Sequence, residues 1–139
     1  MKKLPIILIV AVLVISTLII SCSPPKPEPP YASEITENVL TGLNQSDFAR
    51  FSRDFDEAMK KAFTEQVFTQ TRDLIKSKVG DYQSKQYLKT EEKKPYTTVY
   101  YKAQYTNEPD GVIVRIVFQE IGGKPLVSGL WFDSPKLRQ

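Results

Sequence analysis

The sequence predicts an α+β fold, with three N-terminal helices packed on a curved, four-stranded antiparallel meander sheet. Two changes of pattern carry this prediction. Between residues 31 and 80 apolar side chains recur every three to four positions, and beyond Asp81 the period drops to two. Glycine and proline clusters then punctuate the alternating segments, so consecutive strands are joined by short turns and lie side by side. A sheet of this kind must bury one face, and the helices are what it can bury it against.

The first helix is expected from a Ser33 N-cap, with Ile35, Val39, Leu40 and Leu43 along one side. Ser46 is expected to cap a second helix carrying Phe48, Phe51 and Phe55, extended through a turn near Asp54 to Met59, Ala62 and Phe63. The third helix starts after Thr64, buries Val67, Phe68, Thr71, Leu74 and Ile75, and ends at Gly80, where glycine accepts a left-handed backbone. Tyr82 to Lys89 forms a polar first strand. In the second, Thr97 to Tyr105, Val99, Tyr101, Ala103 and Tyr105 face the core. Pro109-Asp110-Gly111 is expected to turn the chain into an apolar third strand, Val112 to Ile121, and Gly122-Gly123-Lys124-Pro125 into the last, Leu126 to Phe132.

Composition excludes several function classes. Without Lys2 and Lys3 the chain carries 17 basic against 16 acidic residues, a balance unsuited to nucleic acid or to polybasic attachment to lipid. With no histidine, nucleophile-histidine pairs and zinc-histidine sites are impossible. No metal or cofactor site is expected, and no catalytic residue is assigned.

The N-terminus supplies an address. Lys2 and Lys3 precede 17 residues, Leu4 to Ile20, that are almost wholly apolar and end in Ile19-Ile20-Ser21-Cys22. This charged head, apolar core and small residue before a cut resembles a bacterial lipoprotein signal. The resemblance implies cleavage between Ser21 and Cys22, and attachment of diacylglyceryl and palmitate-type chains to the Cys22 thiol. Two or three acyl chains at about 0.8 kcal/mol per buried methylene anchor a protein durably. An uncleaved spanning anchor is the alternative, since 17 residues lie near the lower limit for crossing a bilayer. Either way the domain is expected at the cell membrane, facing away from the cytoplasm. The expected division is residues 1–21 as signal, 22–31 as lipidated cysteine and linker, and 32–139 as the folded domain. Five prolines in Ser23 to Pro30 suggest a stiff polyproline stalk that lifts the domain by about 25 Å.

Three helices followed by a curved antiparallel sheet, with Gly123-Lys124 and Gly129-Leu130-Trp131-Phe132 in the last hairpin, is similar to the nuclear transport factor two-like, or cystatin-like, α+β cone. It is similar in particular to small exported domains of unknown function. That resemblance implies a pocket at the cone's open end, for which Tyr101, Tyr105, Phe118 and Phe132 are the candidate lining. The best-known catalyst of the cone, ketosteroid isomerase, needs inward carboxylates; here no inward strand position supplies one. If Val112, Val114, Ile116 and Phe118 face inward, then Ile113, Val117 and Ile121 face outward with Val127 and Trp131, an apolar patch suited to a homodimer or a membrane-associated envelope protein. The expectation is therefore a lipid-anchored, non-catalytic binding or assembly module. The alternative is a small-molecule carrier, or a cone-fold hydrolase or isomerase using Tyr101 or Tyr105.

Overall fold

The structure is a computed structural model that describes residues 23–139. Residues 1–22, including the expected cleavage residue Ser21 and the expected lipid acceptor Cys22, lie outside the described residues. The order is α1 (Ala32–Gln45), α2 (Phe48–Ser52), α3 (Glu57–Ala62), α4 (Glu65–Val79), β1 (Tyr82–Lys93), β2 (Tyr96–Tyr105), β3 (Glu108–Ile121) and β4 (Lys124–Asp133). The four strands form one antiparallel sheet in sequence order. The α+β expectation holds in that form, with four helices instead of three and a sheet that is at most mildly curved.

The extra helix has an identifiable cause. Beyond α2 the backbone leaves helical geometry and pairs with β4: Asp56 N–H donates to Val127 O at 3.0 Å, and Val127 N–H to Asp54 O at 2.7 Å. Phe55 and Val127 form the resulting parallel bridge. The Asp56 carboxylate then caps α3 through Met59 N–H at 2.8 Å and accepts the Ser128 hydroxyl at 2.7 Å. A carboxylate satisfied on both sides can be buried, which Asp56 is.

Caps also differ from the expected ones. Ser46 is the left-handed C-cap of α1, with φ 64°, and Asp47 caps α2 by accepting Arg50 N–H at 2.9 Å. Tyr31 precedes α1 without a side-chain cap, so Ser33 falls inside the first turn. Gly42 lets α1 and α2 cross: a β-carbon there would come within 2.6 Å of Phe51 N. Leu74 points to solvent, 51% exposed, instead of into the core.

In the sheet, Val99, Tyr101, Ala103 and Tyr105 of β2 and Val112, Val114, Ile116 and Phe118 of β3 are buried, as their alternation requires. They meet Leu40, Phe51, Phe55 and Phe68 from the helices. The Phe51 ring lies 4.9 Å from both Phe55 and Phe68. The β2–β3 turn is Thr106-Asn107, not Pro109-Asp110-Gly111. Asn107 N–H donates to Val79 O and Thr106 N–H to Asp81 O, and these bonds dock the turn on the α4–β1 connection. Pro109 to Gly111 instead form an irregularity opposite Gln104, where Gly111 has φ 81° and the Lys102 side chain lies against it. Gly122-Gly123, with φ 60° and 76°, make the last turn.

Gly42→Ala is expected to lower unfolding stability by about 1–3 kcal/mol in urea melts, because the new methyl must push α1 and α2 apart. Gly122→Ala has open space around it and should cost only the left-handed strain, about 1 kcal/mol.

Candidate functional site

The outer face of the sheet carries a row of side chains set by register alone. Lys89 pairs with Tyr100, Tyr100 with Arg115, and Arg115 with Trp131, so cation and aromatic ring alternate across all four strands. The Lys89 ammonium sits 4.5 Å from the Tyr100 centroid and the Arg115 guanidinium carbon 4.0 Å from that of Trp131. Lys89 is held by Glu91 at 2.6 Å, and Glu91 also accepts the Tyr100 hydroxyl at 3.0 Å. Arg115 makes no hydrogen bond or ion pair among the described residues, and its Nε is buried without a partner.

Trp131 is 48% exposed. Its indole lies over Gly129, where a β-carbon would come within 2.5 Å of the ring. The glycine thus leaves a shelf for the ring, and this accounts for the Gly-Leu-Trp spacing. Of the other residues expected on this face, Ile121 is exposed, and Ile113 and Val117 are half-buried. Val127 is a correction: it is fully buried in the core. Val117 pairs with Gly129 but Phe118 with Val127, so Ser128 is bulged out and the inward phase of β4 shifts by one residue there. Two shallow clefts meet at Arg115 and Trp131. One of about 370 Å³ runs along Tyr96, Thr98 and Val117, and the other, about 420 Å³, along Ile113, Phe132 and Asp133.

The interior does not form one pocket from the four expected residues. Tyr101 is 1% exposed and Tyr105 4%, and both pack in the core with Phe118. Phe132 is half-buried: it packs against the core beside Val114 and also borders the second cleft. Phe118 reaches a groove of about 650 Å³ at the hairpin end of the sheet, with Tyr31, Pro95, Tyr96, Glu92 and Glu120. A buried carboxylate does exist on a strand, contrary to expectation. Glu108, paired with Tyr105, is 3% exposed and one of its oxygens has no partner. It was hidden by reading the neighbouring Pro-Asp-Gly as the turn. None of the grooves described above reaches it.

What closes the expected mouth is the linker. The Tyr101 hydroxyl donates to Glu28 at 2.5 Å, Tyr87 donates to Lys26 O at 2.5 Å, and Lys26 pairs with Glu92. Tyr31 stacks edge-on against Phe118 at 5.1 Å. Burial and then the Glu28 carboxylate push the Tyr101 phenol well above its ordinary range. The buried Thr36 hydroxyl faces the same phenol and offsets part of that rise. The linker is therefore docked from Lys26 onward, not a free 25 Å stalk. No sequence spacing signals a contact between residues 73 positions apart.

Beside this contact, Lys85 bridges Ser33 and Glu37, each at 3.1 Å, and Tyr82 donates to Glu37 at 2.9 Å. Burial pushes the Glu37 carboxyl up, but hydrogen bonds from Tyr82 and Lys85, with the Lys85 charge, outweigh it and hold the group below the usual carboxylate range. Lys85 is thereby held between Ser33 and Glu37. Among the described residues no group of three His, Cys, Asp or Glu side chains is placed to hold a metal.

Residues 36–122 match the family described as Protein of unknown function (DUF3887). The chain belongs to that family. The match starts inside α1 and ends in the β3–β4 turn, so Glu28, Gly129 and Trp131 fall outside it while Arg115 falls within. No curated protein matches the chain.

Glu28→Ala and Tyr101→Phe should each lower stability by about 1–2 kcal/mol. Their double-mutant cycle should show a coupling above about 0.5 kcal/mol, whereas additivity would mean the linker is not pinned. The Glu37 contribution is present above the unfolded carboxyl value of 4.5 and is lost as pH falls below it. Glu37→Gln should therefore flatten the acid limb of a pH–stability curve, by under about 1 kcal/mol because the carboxylate is still 44% exposed to screening solvent.

Proposed function

We propose that this protein is a lipoprotein anchored through Cys22 at the outer side of a cell membrane, whose nuclear transport factor two-like domain is a non-catalytic binding or assembly module. Its working surface is the outer sheet face. The observation that carries this reading is the half-exposed Trp131 beside an unpaired Arg115, on a domain whose interior is filled. An exposed ring and a guanidinium without an acceptor, held on a rigid sheet, are what a recognition surface needs.

The address rests on the Lys2-Lys3 head, the apolar run and Ile19-Ile20-Ser21-Cys22. No helix among the described residues is long and apolar enough to cross a membrane, so attachment falls to the N-terminal segment. Three residues, Ser23 to Pro25, separate Cys22 from the first docked residue, Lys26. At about 3.1 Å per residue they span roughly 9 Å. The linker leaves the domain beside the β1–β2 turn, which would hold that hairpin end close to the headgroups and leave the sheet faces accessible from the side.

A carrier role is the second reading, favoured by the aromatic groove of Tyr31, Tyr96 and Phe118 at that same end. An isomerase or hydrolase reading is weaker, because Glu108 and Tyr105 share no cavity with room for a substrate.

Metabolic labelling with a palmitate analogue should mark the wild-type chain and leave Cys22→Ala unlabelled. An unlabelled wild type that retains its leader would place the protein on a spanning anchor instead. Trp131→Lys should leave the fold intact and abolish any membrane-associated partner or self-association of the wild type; unchanged sedimentation and pull-down would remove the outer face as the working surface.

A further inference from the structure

Among the described residues the outer face contains one buried donor that the protein leaves without an acceptor. Arg115 sits in the middle of an otherwise apolar strand segment, Val114 to Val117, on its outward side. Its Nε is shielded from solvent yet unpartnered, a state that is unfavourable for a charged donor. Glu91, which lines the same cleft and lies within reach of the Arg115 charge, already accepts from Lys89 and Tyr100 and makes no hydrogen bond with Arg115. Asp133, in the second cleft, is held by two bonds from Arg138 at 2.7 and 2.8 Å. Stacking on Trp131 fixes the guanidinium plane, so its donors present a pre-set fork with little freedom left to lose.

We propose that Arg115 and Trp131 form a binding site for a carboxylated glycan, with Arg115 taking the carboxylate of a uronic-acid residue and Trp131 and Tyr96 offering ring surfaces in the adjoining clefts. A carboxylate matches the fork in two-pronged geometry. Sugar rings fit the remainder, since each presents an apolar C–H face for an aromatic ring and hydroxyls for a polar rim, here Thr98 and Lys93. The two clefts meet at Arg115 and Trp131 and give room for more than one ring. A peptide suits the place less well. Strand-like recognition uses backbone groups at a sheet edge, whereas Arg115 stands on β3, whose backbone is paired on both sides. This inference rests on the outer face being the working surface, and it names that surface's ligand.

Trp131 is the only tryptophan of the chain and reports directly on the site. Its fluorescence should change saturably when the detergent-solubilised full-length chain is titrated with oligogalacturonate, and not with a neutral glucan oligomer of equal length. Arg115→Lys keeps the charge and the aliphatic stem but loses the fork, and should weaken binding at least about tenfold. Arg115→Gln should abolish it while thermal melting shows a folded chain. Absence of any saturable change with wild type up to about 10 mM, well past a millimolar Kd, would overturn the proposal. So would wild-type affinity in Arg115→Lys, or an equal response to oligoglutamate, which would reassign the site to an acidic peptide. If the uronate has no effect while Trp131→Lys still abolishes a partner, the glycan falls and the working face stands; if neither responds, both fall.

Discussion

The backbone junction between residues 54–56 and Val127 organises the rest of the molecule. There a helical segment gives up its own hydrogen bonds for two to β4, and the Asp56 carboxylate satisfies both the next helix and Ser128. Because Ser128 is drawn toward Asp56, β4 bulges and its alternation changes phase. Val127 is thereby turned into the core, while Gly129 and Trp131 take the outer face. One local exchange of hydrogen bonds thus sets the helix count, closes the core beneath the last hairpin and creates the shelf on which the indole rests.

Polar groups complete the side of the domain that an empty cone would leave open. The linker brings Glu28 to Tyr101 and its carbonyls to Tyr87 and Thr90. Glu37 gathers Lys85, Tyr82 and Thr41. These contacts let Tyr82 and Tyr101 sit buried and Tyr87 half-buried with their hydroxyls bonded, and they occupy the space in which a ligand of the interior would have to fit. They also tie the segment from Lys26 onward to the folded body, so that stretch is a docked chain rather than a stiff spacer.

The outer face is arranged differently. Lys89 on β1 and Asp133 at the end of β4 are paired, its rings are held in place by register and by Gly129, and among the described residues the Arg115 Nε is its one buried donor without an acceptor. A surface that is rigid except for what it leaves unsatisfied is pre-organised for binding. Membership of a family described only as a protein of unknown function leaves the chemistry of that surface as the guide to its role.

The sequence alone determined the α+β class, the order of helices and strands, the inward residues of β2 and β3 and the Gly122-Gly123 turn, because these depend on periodicity and local backbone preference. The apolar leader with its single cysteine is equally local, and it is the whole basis for the proposed address. Tertiary structure decided what spacing cannot encode. Thr106-Asn107 became the turn because Val79 and Asp81 hold it, although Pro-Asp-Gly has the stronger intrinsic tendency. Val127 moved inward because a bulge shifted the count by one, and a period of two carries no memory across such a shift. Glu28 found Tyr101 across 73 residues, and Arg115 was recognisable in sequence only as a lone charge among aliphatics. Its unmet hydrogen bonds become visible only once the strands that flank it are in place, because whether a donor is satisfied depends on neighbours distant in the chain.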